Sequence, residues 1–71
     1  MNKQTVRINT PFIKLDSLLK FAGVSPDGVA AKRLVLGEQV AVNGEICTMR
    51  GKKIHPGDKV TVLDIELTVE G

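Results

Sequence analysis

Apolar and polar positions along this chain change period several times, and each change marks an element. Between Thr5 and Asn9, Val6 and Ile8 alternate with Arg7 and Asn9, the period of a strand with one buried face, before Thr10-Pro11 interrupts it. The pattern predicts a short edge strand. From Lys14 to Ala22 the apolar residues Leu15, Leu18, Leu19 and Ala22 recur at i, i+3, i+4 and i+7, which lines one stripe of a helix. Gly23 suits its end, because a left-handed C-terminal residue costs glycine little. Ser25-Pro26-Asp27-Gly28 reads as a loop and a helix start: Ser25 or Asp27 can accept from free amides, and Pro26 is tolerated only in a first turn. In the second helix Ala31, Leu34 and Val35 share a stripe, Lys32 and Arg33 project elsewhere, and Gly37 stands where the helix should stop.

The second half alternates at strand period. Gln39 to Val42 and Glu45 to Thr48 flank Asn43-Gly44, the dipeptide best suited to a two-residue type I′ turn, in which both central residues need positive φ. Arg50 to Gly57, RGKKIHPG, reads as a basic loop with turn points at Gly51 and Pro56-Gly57. Strands at Lys59 to Leu63 and Ile65 to Val69 close a small antiparallel sheet. The expected fold is α+β, with two short helices packed on one side of that sheet, in a single domain over residues 1–71. Parallel crossovers would need more helix than this pattern supplies.

Composition narrows the function. Seventy-one residues leave room for one modest core, and the net charge is only +2. The charge is uneven: Lys32, Arg33, Arg50, Lys52, Lys53 and Lys59 outnumber Glu38, Glu45 and Asp58 in the middle of the chain. Cys47 has no partner for a disulfide, and one Cys with one His is too few for a protein-only zinc site, so no cofactor is expected and a reducing cytoplasm is the expected compartment. The first residues lack the apolar run of a signal peptide, and no stretch approaches membrane-spanning length. Asp16, Asp27, Asp58 and Asp64 fall on separate elements, with no nucleophile motif or phosphate-cradling loop, which argues against an enzyme.

The order and spacing of Lys14-Leu15-Asp16, Leu18-Leu19, Ala31-Lys32, Leu34-Val35, Gly37, Val40, Val42-Asn43-Gly44 and Pro56-Gly57-Asp58-Lys59-Val60 resemble the S4 RNA-binding domain over roughly residues 13–62. That resemblance implies an L-shaped unit of two helices and a hairpin, the alpha-L motif, whose basic face docks on structured RNA, commonly ribosomal or transfer RNA. It also implies a ribosome-associated or assembly-linked factor of the short bacterial kind. Two departures matter. Lys14 replaces the family's leading Arg, keeping charge but losing a planar fork for phosphate. Pro26-Asp27-Gly28 stands where many relatives open the second helix with basic residues, and none of the three is assigned an RNA contact.

The candidate RNA surface is therefore Lys14, Lys20, Lys32, Arg33, Arg50, Lys52 and Lys53, with Asn43 at its border. Asn43-Gly44 is also what the turn selects on backbone grounds alone, and Asp16 is read as structural because a carboxylate repels phosphate. His55 is expected to be merely exposed, Cys47 to be a strand residue without a role, and Phe12 and Phe21 to pack in the core; scarce aromatics point to folded RNA and its phosphates rather than a single-strand platform. A monomer is expected. The rival reading is a protein-interaction module that sits on a ribosomal protein or larger enzyme through exposed Leu36 and Met49. Duplex DNA is disfavoured because neither helix is long and basic enough to read a major groove.

Overall fold

The structure, a computed structural model, describes residues 2–71. In chain order its elements are β1 (Asn2–Arg7), β2 (Ile13–Lys14), α1 (Leu15–Phe21), α2 (Gly28–Leu36), β3 (Val40–Val42), β4 (Glu45–Ile46), β5 (Lys53–Ile54), β6 (Lys59–Val62) and β7 (Ile65–Glu70). A five-stranded sheet runs β1-β7-β6-β3-β4, and β2 and β5 form a separate antiparallel ribbon. The α+β class stands, with two helices on a mostly antiparallel sheet.

Period-two burial fixes the sheet's register. Val40 and Val42 of β3, Val60 and Val62 of β6, and Leu67 and Val69 of β7 are buried, and the pairs Val42↔Val60 and Val60↔Leu67 continue one apolar row across three strands. A one-residue slip would turn that row to solvent. Leu15, Leu18 and Leu19 of α1 and Ala31 and Val35 of α2, all fully buried, close the core from the helix side.

The sheet departs from the expectation in one pairing. β1 runs parallel to β7, from Asn2↔Ile65 to Arg7↔Glu70, so the sheet is mixed rather than wholly antiparallel. A parallel pair needs a long connection, and here almost the whole chain supplies it in place of a crossover helix. The first strand also begins earlier than expected, its start held by Asn2 N–H donating to the Asp64 carbonyl (2.9 Å). It is an edge strand, as its pattern suggests.

Both helices end in the same hydrogen-bonded form. In α1, Val24 N–H reaches Leu19 O (3.0 Å) and Gly23 N–H reaches Lys20 O (3.1 Å), with Gly23 at φ +79°. In α2, Gln39 N–H reaches Leu34 O and Glu38 N–H reaches Val35 O, and Glu38 takes the left-handed position at φ +60°. The helix thus ends at Leu36 with Gly37 as its C-cap, and the left-handed residue falls one position later, at Glu38. Gly37 has an ordinary φ of −81°, and its role is spatial: a Cβ there would lie 2.9 Å from the Arg33 carbonyl oxygen. At the other end Asp27 is the N-cap, its Oδ1 accepting from Ala30 N–H at 2.8 Å, which stabilises the helix by about 1 kcal/mol.

This geometry predicts opposite effects at neighbouring positions. Gly37→Ala forces backbone apart and lowers stability by about 1–3 kcal/mol. Glu38→Gly relieves a left-handed non-glycine residue and raises stability by up to about 1 kcal/mol. Urea unfolding of the two variants beside the native chain measures both.

Candidate nucleic-acid interface

The site starts from unpaired amides. The first-turn N–H groups of a helix have no partner within it, and Lys14, the residue preceding α1, makes no side-chain cap. The basic loop fills the gap with its own backbone: Leu15 N–H donates to Lys52 O (2.9 Å) and Asp16 N–H to Arg50 O (3.0 Å). Ser17 N–H is taken by Asp16 Oδ1 (2.8 Å), the structural role expected of that carboxylate. Arg50 and Lys52 are therefore bound by main chain to the start of α1, while their side chains stay exposed.

The same contact continues into the β2–β5 ribbon, where Ile13 faces Ile54 and Lys14 faces Lys53. Ile54 is fully buried and Ile13 half-buried, so alternation turns Lys14 and Lys53 outward as a cross-strand pair. Like charges directly opposite on neighbouring strands are destabilising, by roughly 0.2–1 kcal/mol. This ribbon changes the expectation for residues 50–57: the stretch is a loop that contains a strand. It also overturns the core assignment of the phenylalanines. Phe21 is 65% exposed. Phe12 is half-buried beside the ribbon, with Lys53 Nζ 4.9 Å from its ring centroid and the His55 ring 6.1 Å away.

The other predicted residues spread outward from this cluster. Lys20 is exposed in the last turn of α1, beside a shallow recess of about 500 Å³ lined by Ile13, Ser17, Lys20 and Phe21. On α2, at about 100° per residue, Lys32 lies roughly 80° and Arg33 roughly 180° around the axis from the buried Ala31 and Val35 stripe. Both are exposed, on a helix that packs against α1. Among the described residues none of these seven cations is in an ion pair, whereas Arg7 is paired with Glu70 and Lys59 with Glu66.

Asn43 has a different place. Asn43 and Gly44 take φ +52° and +89°, the turn expected of them. The Asn43 side chain is engaged at both ends: its Oδ1 accepts from Lys59 N–H (3.0 Å), and its Nδ2 donates to Asp58 Oδ1 (3.2 Å). Asp58 Oδ2 accepts in turn from His55 N–H (2.8 Å). His55-Pro56-Gly57-Asp58 is itself a turn closed by Asp58 N–H to His55 O (3.0 Å), with Gly57 at φ +97°. The two short motifs at residues 42–44 and 56–60 are thus one clasp, which ties the hairpin tip to the end of the ribbon.

Sequence reasoning missed the Phe12–His55 pair. Its signal was the alternation of Phe12 and Lys14 about Ile13 and of Lys53 and His55 about Ile54, spread over strands of two residues each.

Two helices on a mixed sheet, with a cation-bearing ribbon bound across the first turn of α1, make a small α+β unit that presents exposed charge from a fixed backbone. The chain belongs to the S4 domain family, whose model matches residues 6–70. It is 37% identical over 57 residues to the probable ribosome maturation protein RlbA of Bacillus subtilis, with 80% of each chain covered. It is 33% identical over 57 residues to the small ribosomal subunit protein uS4 of Flavobacterium psychrophilum, a match that covers 80% of this chain and 28% of that protein. The solution structure of YbcJ from E. coli, which reveals an alfaL motif involved in RNA binding, superposes with a TM-score of 0.76 at 30% identity, over 100% of this chain and 91% of YbcJ.

The clasp gives a pH prediction. The His55 amide, foremost, holds the Asp58 carboxyl below its ordinary value of 3.8; the Asn43 amide and positive charge on His55 and Lys52 add to this, while partial burial opposes it. A carboxyl with a lowered folded pKa contributes stability that is complete above its unfolded pKa and is lost as the pH falls through the folded value. Thermal unfolding between pH 7 and pH 2 is expected to show the native chain losing stability below about pH 4. Asp58→Asn is less stable at neutral pH and shows a shallower acid dependence.

Proposed function

We propose that this protein is a non-enzymatic factor that docks on structured ribosomal RNA as a single-domain monomer, in the service of ribosome association or assembly. Its contact face centres on Lys14, Arg50, Lys52 and Lys53, and extends over Lys20 of α1 and Lys32 and Arg33 of α2. The observation that carries the reading is the Lys14–Lys53 pair, two like charges placed opposite each other where a sheet ordinarily avoids them. A phosphate between them turns repulsion into attraction. The flanking Arg50 and Lys52 cannot drift away, because their carbonyls are bound to α1. The names of the relatives, a ribosomal protein and a probable ribosome maturation protein, favour ribosomal over transfer RNA. The cytoplasm is the compartment this reading implies.

With phosphates supplying the affinity, structured RNA is recognised mainly by shape. Asn43 shapes the border of the face through the clasp, which engages both ends of its side-chain amide. A second reading, docking on a protein, is favoured by one observation: Val29 (62% exposed) and Leu36 (55%) project from the outward side of α2 between Lys32 and Arg33.

Fluorescence anisotropy with a structured ribosomal RNA fragment, with transfer RNA and duplex DNA as competitors, separates the readings. Four phosphate contacts weaken binding roughly a hundredfold between 50 and 200 mM salt. The charge reversal Lys52→Glu with Lys53→Glu is expected to abolish most of the affinity at either salt while the circular dichroism spectrum stays native. Binding that ignores both salt and charge reversal contradicts the proposal and favours the apolar face of α2.

A further inference from the structure

The outer face of the β2–β5 ribbon carries more than charge. Phe12 and His55 lie on the same side of it as Lys14 and Lys53, two residues along their respective chains, and their rings stand 6.1 Å apart at an interplanar angle of 51°. Rings tilted this way are not stacked face to face on each other. Lys53 Nζ sits over the Phe12 ring, 4.9 Å from its centroid, which keeps an ammonium against one face of that ring. The backbone on both sides is held. Thr10 Oγ1 donates to Phe12 O (2.9 Å), His55 N–H donates to Asp58 Oδ2 (2.8 Å), and the His55 Nδ1 lies 3.8 Å from the same carboxylate oxygen. The His55 side chain is nonetheless 58% exposed. The sequence contains two phenylalanines and no Trp or Tyr, so an aromatic kept out of the core beside a cation cluster is a departure from what burial alone dictates.

We propose that Phe12 and His55 form a seat on which an unpaired RNA base stacks, with Lys14 and Lys53 holding the phosphates that flank it. This rests on the RNA-binding reading above and deepens it: the face selects RNA in which a bulged or looped-out nucleotide adjoins a folded region. A base inside an A-form helix offers no free face for stacking, whereas an unpaired one does, on phenylalanine or histidine without regard to sequence. Stacking supplies the preference and the lysines supply the affinity.

The test uses two RNA hairpins that share one stem sequence, the first fully paired and the second with a single bulged 2-aminopurine inserted. The native protein is expected to bind the bulged hairpin about tenfold more tightly and to change the fluorescence of the bulged base. Phe12→Leu and His55→Leu, which leave every backbone hydrogen bond available, are expected to reduce that preference to near unity while still binding both hairpins. Phe12→Tyr retains it. Equal affinity of the native protein for the two hairpins, or an undiminished preference in Phe12→Leu, overturns the stacking seat and leaves the phosphate face standing. Failure of the native protein to bind either hairpin overturns the RNA-binding reading and the seat together.

Discussion

The first two amides of α1, those of Leu15 and Asp16, have no side-chain cap, and the carbonyls of Lys52 and Arg50 satisfy them. Much of the proposed interface follows from that constraint. A free RGKK segment would scatter its charges, whereas this one is bound by main chain to a helix whose Leu15, Leu18 and Leu19 are buried in the core. The side chains are left for solvent because the backbone does the anchoring. The next residue pair in the same register sets Lys14 against Lys53, so one run of backbone contacts both completes the helix and concentrates four cations.

The second constraint is the clasp of Asn43, Asp58 and His55. It joins the hairpin tip to the strand that follows the basic loop, and it uses a carboxylate to orient groups next to a cationic surface without placing that charge in an ion pair with any of the seven lysines and arginines of the proposed face. Asp58 sits within these hydrogen bonds, and its lowered pKa reflects them, the His55 amide foremost. The motif spacing that marks this family in sequence is therefore spacing for a folding contact. Its functional consequence is indirect: it fixes where β5 ends and hence where His55 points its backbone.

Much of this was legible in the residues. The leucine stripe of α1, the alanine and valine stripe of α2 and the Asn43-Gly44 turn are local patterns with a single physical reading, and each forms as the sequence predicts. The parallel pairing of β1 with β7 was not legible, because it joins the two ends of the described chain and no local period records which distant strand lies alongside. The β2–β5 ribbon escaped for the opposite reason: strands of two residues are too short to show alternation against a background of glycine and charge. The same gap hid the place of Phe12, since a phenylalanine next to an apolar stripe looks like core until the intervening strand is known. At the end of α2 the sequence marks Gly37 as the stop, and the structure shows that what the position needs is space beside Arg33 O, with Glu38 taking the left-handed turn.

The central claim is that the loop and the first turn of α1 act as one RNA-facing surface, and backbone chemical-shift mapping tests it most directly. Titration of a structured ribosomal RNA fragment into isotopically labelled protein is predicted to move the amides of residues 12–17 and 50–55 most, and together, at the same RNA concentration. Shifts confined to the outward side of α2, around Val29 and Leu36, with residues 50–55 unmoved, would contradict it.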